Sequence, residues 1–366
     1  MTNQKIIFLD ITCDKNHHSI KKKAVGASEY QFYNLVYHFS CIPDNKVNCF
    51  NFTDRKHIQI DNIYYSHFKY LSDYPIDNSH KIIIQRFFPY EEKLKNKILN
   101  NNVFLWVHDI PDILIFVGNN QDVINYFQNE PVKFKEYLKE FFISRSTIFF
   151  IFNSNHCKNM FIDFLNKYQL SIDDNRLKVI YNILYEEEFK KNNNIPINKN
   201  QLVYASAWKK GIKDVIEVFE YILKKDNKFV LVLMEPGYGM EEYIEYKKNL
   251  LTRFPNNIII HDPLSKDLYS EIMKSSLCVF SSKFNETFGC VFAESYYLGT
   301  PVIADVNSGA VREIIDNHFV IDYNNKELVF QRLQEIVENR DHRNVTLHDN
   351  FLFNSNFTKW KNIVMK

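Results

Sequence analysis

The sequence predicts an α/β protein built from two doubly wound parallel-sheet domains, and three observations carry that prediction. The chain has 366 residues, more than one hydrophobic core normally organises, so two domains are expected. Short apolar β-type runs alternate with helix-type patterns along its length, which implies parallel strands with helices on both faces. The alternation is interrupted at Asn192-Asn193-Asn194-Ile195-Pro196-Ile197-Asn198-Lys199-Asn200, a polar, proline-containing stretch that reads as a linker. A first domain is expected over residues 1–195 and a second over 200–345. An aromatic C-terminal helix, 355–366, is expected to pack back on the first.

Taken in order, residues 5–11 form an apolar β-run, and Gly26-Ala27-Ser28-Glu29 opens a helix pattern over 30–39. Strand patterns follow at 46–52, 81–86, 103–107 and 147–152, separated by helix patterns near 91–99, 131–142 and 157–168. Residues 178–182 read as the last strand of this half. The second half alternates more regularly. Its strands are expected at 201–206, 229–234, 257–260, 277–281, 301–304 and 318–320. Its helices are expected at 212–225, 240–252, 266–275, 288–298, 310–316 and 326–338. Two such domains in tandem are expected to face each other across a cleft at the carboxyl ends of their strands.

Bulk properties narrow the function classes. The formal net charge is +1, which argues against nucleic acid as the main partner. The basic run Lys21-Lys22-Lys23 reads as a solvated loop. The six cysteines, at 13, 41, 49, 157, 278 and 290, form no C-x-x-C pair and no zinc spacing. Most sit beside apolar residues, as reduced thiols do. The histidines, His17 and His18 included, show no ligand spacing either, so no metal is assigned. The opening apolar run is too short for a signal-peptide core, and no run approaches the roughly 18 residues that span a bilayer. Asn285-Glu286-Thr287 is a glycosylation sequon inside the candidate site described next, which would be hazardous for a secreted enzyme. The expectation is a cytoplasmic protein.

Glycine is scarce: 8 residues against roughly 26 at the average usage of about 7%. A chain so depleted should keep glycine where backbone geometry or close ligand approach demands it. The glycines are 26, 118, 211, 237, 239, 289, 299 and 309. All but Gly118 lie at ends of apolar runs or starts of helix patterns, the βα turns where α/β folds bind ligands.

One stretch concentrates chemistry: Phe284-Asn285-Glu286-Thr287-Phe288-Gly289-Cys290-Val291-Phe292-Ala293-Glu294, continuing to Leu298-Gly299-Thr300-Pro301. Thr287 reads as an N-cap, and Gly299 with Pro301 as the stop of a helix over 288–298. Glu286 then lies in the loop at the positive end of the helix and Glu294 about two turns further in. At about 1.5 Å rise per residue the two carboxylates lie roughly 10 Å apart, with an anion site at the helix N-terminus between them. An isolated pair at this spacing is more often a loop carboxylate and a solvated glutamate on a surface helix, and spacing alone also allows a general acid–base couple. The surrounding motifs have to decide.

Those motifs make the second half, over about 200–320, resemble the retaining GT-B glycosyltransferases, most closely family 4 (glycosyl transferases group 1). That family carries an E-x7-E element, matched by Glu286-Thr287-Phe288-Gly289 through Glu294 to Gly299-Thr300-Pro301-Val302. Gln201-Leu202-Val203-Tyr204-Ala205-Ser206 with Lys209-Lys210-Gly211 looks like its strand and Lys-Gly turn. Asn307-Ser308-Gly309-Ala310 looks like its glycine loop. His261-Asp262-Pro263 and Ser265-Lys266-Asp267-Leu268 occupy the segment that usually cups the nucleobase. In the first half the likeness is weaker, at Gly26–Glu29, Trp106-Val107-His108-Asp109 and Val179-Ile180-Tyr181-Asn182.

The resemblance implies roles. Glu294 would hold the ribose hydroxyls of a nucleotide-diphospho-sugar and Glu286 the hydroxyls of the transferred sugar. Lys210, with Lys209 and Ser206 in the same turn, would meet the diphosphate. Backbone around Thr287, Phe288, Gly289 and Cys290 would do the same, and Pro263 would lie by the base. Gly26 would approach the phosphate, and His108 would face the sugar as the third catalytic residue after Glu286 and Lys210. The arginine that the family commonly has near Ala207 is absent here. The implied activity is a metal-independent, front-side, retaining transfer to a glycan, lipid-linked or protein-linked acceptor, with no cofactor. Peripheral membrane contact through the aromatic-rich first half stays open. So do two other readings: a sugar-nucleotide epimerase of the same shape, and a catalytically silent nucleotide-sugar binder.

Overall fold

The protein is described here by a computed structural model covering residues 4–19, 26–53, 56–89, 91–118, 120–189, 195–235, 240–338 and 345–366. Lys21-Lys22-Lys23, Gly237, Gly239 and residues 192–194 of the expected linker lie outside the described residues. Two compact units are present: Met1–Asn182 with Asn356–Lys366, and Ile183–Ser355.

The first unit holds eight strands: β1 Lys5–Leu9, β2 Lys46–Asn51, β3 His57–Ile60, β4 Ile63–His67, β5 His80–Gln85, β6 Asn102–Val107, β7 Ile148–Phe152 and β8 Leu177–Val179. Their order is β3-β4-β2-β1-β5-β6-β7-β8. All pairings are parallel except β3 with β4. Helices cover both faces, so the central strands are continuous apolar runs such as Lys5-Ile6-Ile7-Phe8-Leu9, whose last four residues are fully buried. The β3–β4 hairpin was not expected from the sequence. Its strands are only four and five residues long, and its turn is Asp61-Asn62, with Asp61 left-handed at φ 52°, a two-residue hairpin signal. The last strand stops at Val179 rather than reaching residue 182. In the C-terminal helix, Phe353–Val364, Trp360 is fully buried with its ring 4.7 Å from that of Trp106.

The second unit holds β9 Asn198–Tyr204, β10 Val230–Met234, β11 Ile258–His261, β12 Ser276–Phe280, β13 Val302–Asp305 and β14 Val320–Ile321. Their order is β11-β10-β9-β12-β13-β14, all parallel. From β9 the chain winds outward to β10 and β11, then returns to β12 and winds the other way. The crevice beyond the carboxyl ends of β9 and β12 is therefore the topological switch point, where open α/β sheets bind ligands. In the first unit the corresponding reversal lies between β1 and β5.

Two local expectations are corrected. The helix after β12 runs Cys290–Tyr297, with Gly289 as its N-cap at φ 90°. Thr287 is not the cap, and residues 286–289 stay irregular because their backbone is used elsewhere: Ala310 N–H donates to the Glu286 carbonyl at 2.9 Å. The expected helix at 310–316 is a single tight 3-10 segment, Gly309–Glu313. Gly118, set aside in the sequence, has a positive φ of 65°, as do Gly211, Gly289, Gly299 and Gly309. Gly26 does not, at φ −63°.

Candidate active site

The turn after β9 is the first wall of the site. Trp208 is buried and anchors a 3-10 turn, Trp208–Lys210, that ends at Gly211 with φ 104°. A Cβ on Gly211 would lie 2.9 Å from Ser282 Cβ, so the turn packs directly on the end of β12. There the Ser282 hydroxyl donates to the Lys210 carbonyl. Ser206 is half-buried, and Lys209 points to solvent.

Glu286 follows β12 and meets that turn. Lys210 Nζ lies 2.8 Å from both Oε1 and Oε2 and 5.2 Å from the centre of the Phe284 ring. The Glu286 side chain is only 13% exposed against 32% for Lys210, so the carboxylate is fixed and the ammonium keeps a solvent face. The glycine loop holds Glu286 from behind. A Cβ on Gly309 would sit 2.2 Å from the Glu286 carbonyl oxygen and 2.7 Å from its nitrogen, a backbone approach open to glycine alone. The loop is braced by Ser308, which bonds the Ser281 hydroxyl at 2.7 Å and the Ser282 carbonyl. Buried Asp305 accepts from the N–H groups of Asn307 and Tyr323, each at 2.8 Å.

Glu294 lies in the following helix with partners of its own. Lys266 Nζ is 2.7 Å from Oε1, and the Tyr269 hydroxyl donates to Oε2 at 2.6 Å. Burial and the nearby Glu294 carboxylate hold the Tyr269 phenol well above its ordinary pKa, so it stays a donor. Lys266 also lies 4.3 Å from the centre of the Phe189 ring and 5.0 Å from that of Tyr269. Lys266 and Tyr269 were not singled out as site residues. The sequence signal was available, since they stand three apart on the Lys266–Ser275 helix and so share a face. Among the other expected positions, Phe288 is buried against Phe351, with rings 5.9 Å apart, so only its backbone can serve a ligand. Thr287, Gly289 and Cys290 are half-buried, and Pro263 is exposed.

The two expected residues of the first unit have different surroundings. Gly26 is an ordinary extended N-cap of the Ala27–Ser40 helix. The Glu29 carboxylate lies where its Cβ would be, at 2.3 Å. Arg86, at the end of β5, binds Glu29 at 2.6 Å, Asp109 at 2.9 Å and the Ser28 hydroxyl. Burial works against the Arg86 charge, but Asp109, Glu29 and Asp10 more than offset it and raise its pKa. His108, after β6, is 4% exposed, its ring 4.3 Å from that of Trp106. Burial, and secondly the Arg86 charge, push its pKa well below the ordinary histidine value, so it is a neutral imidazole. Sequence reasoning did not single out Arg86, because an arginine closing a strand carries no spacing signal.

Residues 186–346 match the family model described as glycosyl transferases group 1, a span that contains Lys210, Glu286 and Glu294. No curated protein matches the chain in sequence. Among solved structures, sucrose-phosphate synthase from Thermosynechococcus elongatus superposes with a TM-score of 0.67 at 12% identity, covering 98% of this chain and 98% of that one. The Anabaena protein HepE, crystallised with UDP and glucose, gives 0.63 at 14% identity, covering 99% and 100%. A TarM mutant from S. aureus, crystallised with fondaparinux, α-GlcNAc-glycerol and UDP, gives 0.51 at 15% identity. That match covers 79% of this chain and 56% of TarM, so the chain spans little more than half of TarM's length. At these identities the neighbours establish the fold alone. The family match spans residues 186–346, less than half of the chain, and the fold is that of the GT-B glycosyltransferases.

Proposed function

We propose that this chain is a glycosyltransferase of the retaining, family 4 type, taking a sugar from a nucleotide-diphospho-sugar, UDP- or GDP-linked, to a hydroxyl of a glycan, lipid-linked or protein-linked acceptor. The observation that carries the reading is the pair of lysine-held carboxylates, Lys210–Glu286 and Lys266–Glu294, with the first pair at the switch point of the second sheet. A carboxylate that already accepts from an ammonium and a phenol is placed to accept from a ribose diol, and charge-assisted bonds of this kind are stronger than neutral ones. Lys210 keeps a solvent face, and it is the cation placed to meet a diphosphate as negative charge develops on it.

In the proposed reaction the bond between the sugar's anomeric carbon and the diphosphate oxygen breaks, with its electron pair going to the diphosphate. The acceptor oxygen forms the new bond on the same face, and its proton passes to the departing phosphate oxygen. The nucleoside diphosphate is the second product. Glu286 orients sugar hydroxyls while Lys210 and the 287–290 amides stabilise the leaving charge. Lysine and backbone N–H groups then do the work that a divalent ion does elsewhere, so the proposed reaction needs neither metal nor cofactor. Roles for Gly26 and His108 rest on the family resemblance. A cytoplasmic location is part of the same reading. Among the described residues no helix is long and apolar enough to cross a membrane.

UDP is the nucleotide crystallised with both HepE and TarM, which makes UDP-sugars the first probes. A thermal-shift screen of UDP-, GDP- and dTDP-sugars should raise the melting temperature with one nucleotide class, since a ligand that binds only the folded state stabilises it more the further its concentration exceeds its Kd. The responding donor should then release nucleoside diphosphate when acceptor is supplied. No stabilisation by any nucleotide-sugar would sink the donor assignment. Formation of an epimer without acceptor would replace transfer with the epimerase reading.

A further inference from the structure

The first unit carries a cluster that none of this chemistry uses. His17 and His18 lie in the loop after β1, and the fold brings Asp61, 44 residues after His17, to both of them. His17 Nε2 is 2.9 Å and His18 Nε2 3.2 Å from the same Asp61 oxygen, Oδ2. One ligand atom from each residue lies within 4.8 Å of the others. No sequence spacing announced the site, because the third residue comes from the tip of the unexpected β3–β4 hairpin.

We propose that His17, His18 and Asp61 bind a divalent transition-metal ion of the zinc class. Two imidazole nitrogens and one carboxylate oxygen form a ligand set that borderline ions prefer over magnesium or calcium, which take oxygen. Zinc holds such ligands at about 2.0–2.2 Å, so the three atoms would draw in around one ion, with water completing the shell.

The site is built rather than incidental. His17 is 2% exposed. Its ring is stacked 5.3 Å from Tyr37 and 5.9 Å from Tyr65. Its other nitrogen, Nδ1, lies 2.8 Å from the Tyr65 hydroxyl. That second contact suits a ligating histidine: Nδ1–H donates to the phenol oxygen, which leaves the Nε2 lone pair for the metal and fixes the ring's direction. His18 and Asp61 are exposed, so an ion has a route in.

The location makes the ion a clip. Asp61 precedes the amino end of β4 and Tyr65 lies within that strand, so the metal would tie the loop after β1 to the edge hairpin of the sheet. The carboxyl ends of β1, β5 and β6, where Asp10, Arg86 and Asp109 gather, stand apart from Asp61's end of β4. Binding should therefore raise stability without being required for transfer.

The test uses the full chain without an affinity tag, stripped with chelator and titrated with Zn2+ and with Co2+. The expected result is one ion per chain, a rise in melting temperature that chelator reverses, and visible d–d bands with Co2+. His18→Ala and Asp61→Asn alter exposed side chains and should each weaken binding at least tenfold. His318→Ala, which removes an exposed histidine paired with Glu335 in the second unit, should leave binding unchanged. The proposal fails if no stoichiometric uptake occurs. It fails equally if both site variants bind as the parent does, which would reduce the cluster to a hydrogen-bonded clasp.

Discussion

The two sheets share one architecture and end differently. At the switch point of the second sheet, beyond β9 and β12, the backbone is shaped by glycines at φ 104° and 65°. There a lysine with a solvent face holds a nearly buried carboxylate. Beyond β1, β5 and β6 of the first sheet, Arg86 is closed between Glu29 and Asp109, His108 is buried and neutral, and Gly26 has an unstrained backbone. The difference teaches that a doubly wound sheet supplies a place for chemistry but not the chemistry. In the second unit the lysine side chain stays 32% exposed, whereas in the first Arg86 is taken up by two carboxylates. The family match follows the same division, beginning at residue 186.

The sharpest way to break this comparison is Lys210→Ala. It removes the cation proposed to meet the leaving group and strands Glu286. Loss of one preorganised charge-stabilising group costs on the order of 10²–10³ in kcat. Steady-state transfer assays, with circular dichroism confirming the fold, should show at least that loss, and full activity would discard the site.

Glycine substitutions sharpen the contrast through stability. Gly309→Ala places a methyl group against the Glu286 backbone at a left-handed position, and should destabilise by about 2–4 kcal/mol in urea unfolding. Gly26→Ala meets no backbone atom, only the end of the Glu29 side chain, which must shift against its Arg86 pair, and should cost within about 1 kcal/mol. Equal effects would mean that the two turns are not built differently.

Glu294→Gln keeps the shape and removes the charge. The expected outcome is a rise in donor KM of roughly 10–100-fold, corresponding to about 1.5–3 kcal/mol for a hydrogen bond to a charged group. Tyr269→Phe should raise donor KM less, because Lys266 remains on Oε1.

The smallest effect concerns His108 and pH. Its folded pKa lies below the unfolded value of about 6.5, so between the two the unfolded chain binds more protons. Stability is therefore intact above about pH 6.5 and falls as the solution is acidified, by up to about 1.4 kcal/mol per pH unit. His108→Gln should flatten that acid slope relative to the parent in melting curves taken at successive pH values. An unchanged slope would mean that the imidazole is protonated in the folded protein.

What the sequence determined by itself was local. Alternation of apolar runs with helix patterns reports backbone geometry over a few residues, and it was enough for two parallel-sheet domains and for most element positions. The spacing Glu286 to Glu294, the Lys210-Gly211 turn and Gly309 were legible for the same reason, since each is a short-range constraint. The β3–β4 hairpin was less visible because short half-exposed strands carry little apolar signal, and the start of the helix at Cys290 was misread because Thr287 has the right side chain for a cap. Only the tertiary structure decided the partners. Lys266 and Tyr269 reach Glu294 from 28 and 25 residues away, and Lys210 reaches Glu286 across 76. Gly309 lies against Glu286, and Asp61 against two histidines. Such contacts depend on which strands become neighbours. In this chain the pairing of β9 with β12 sets Lys210 beside Glu286, a long-range choice that no window of neighbouring residues encodes.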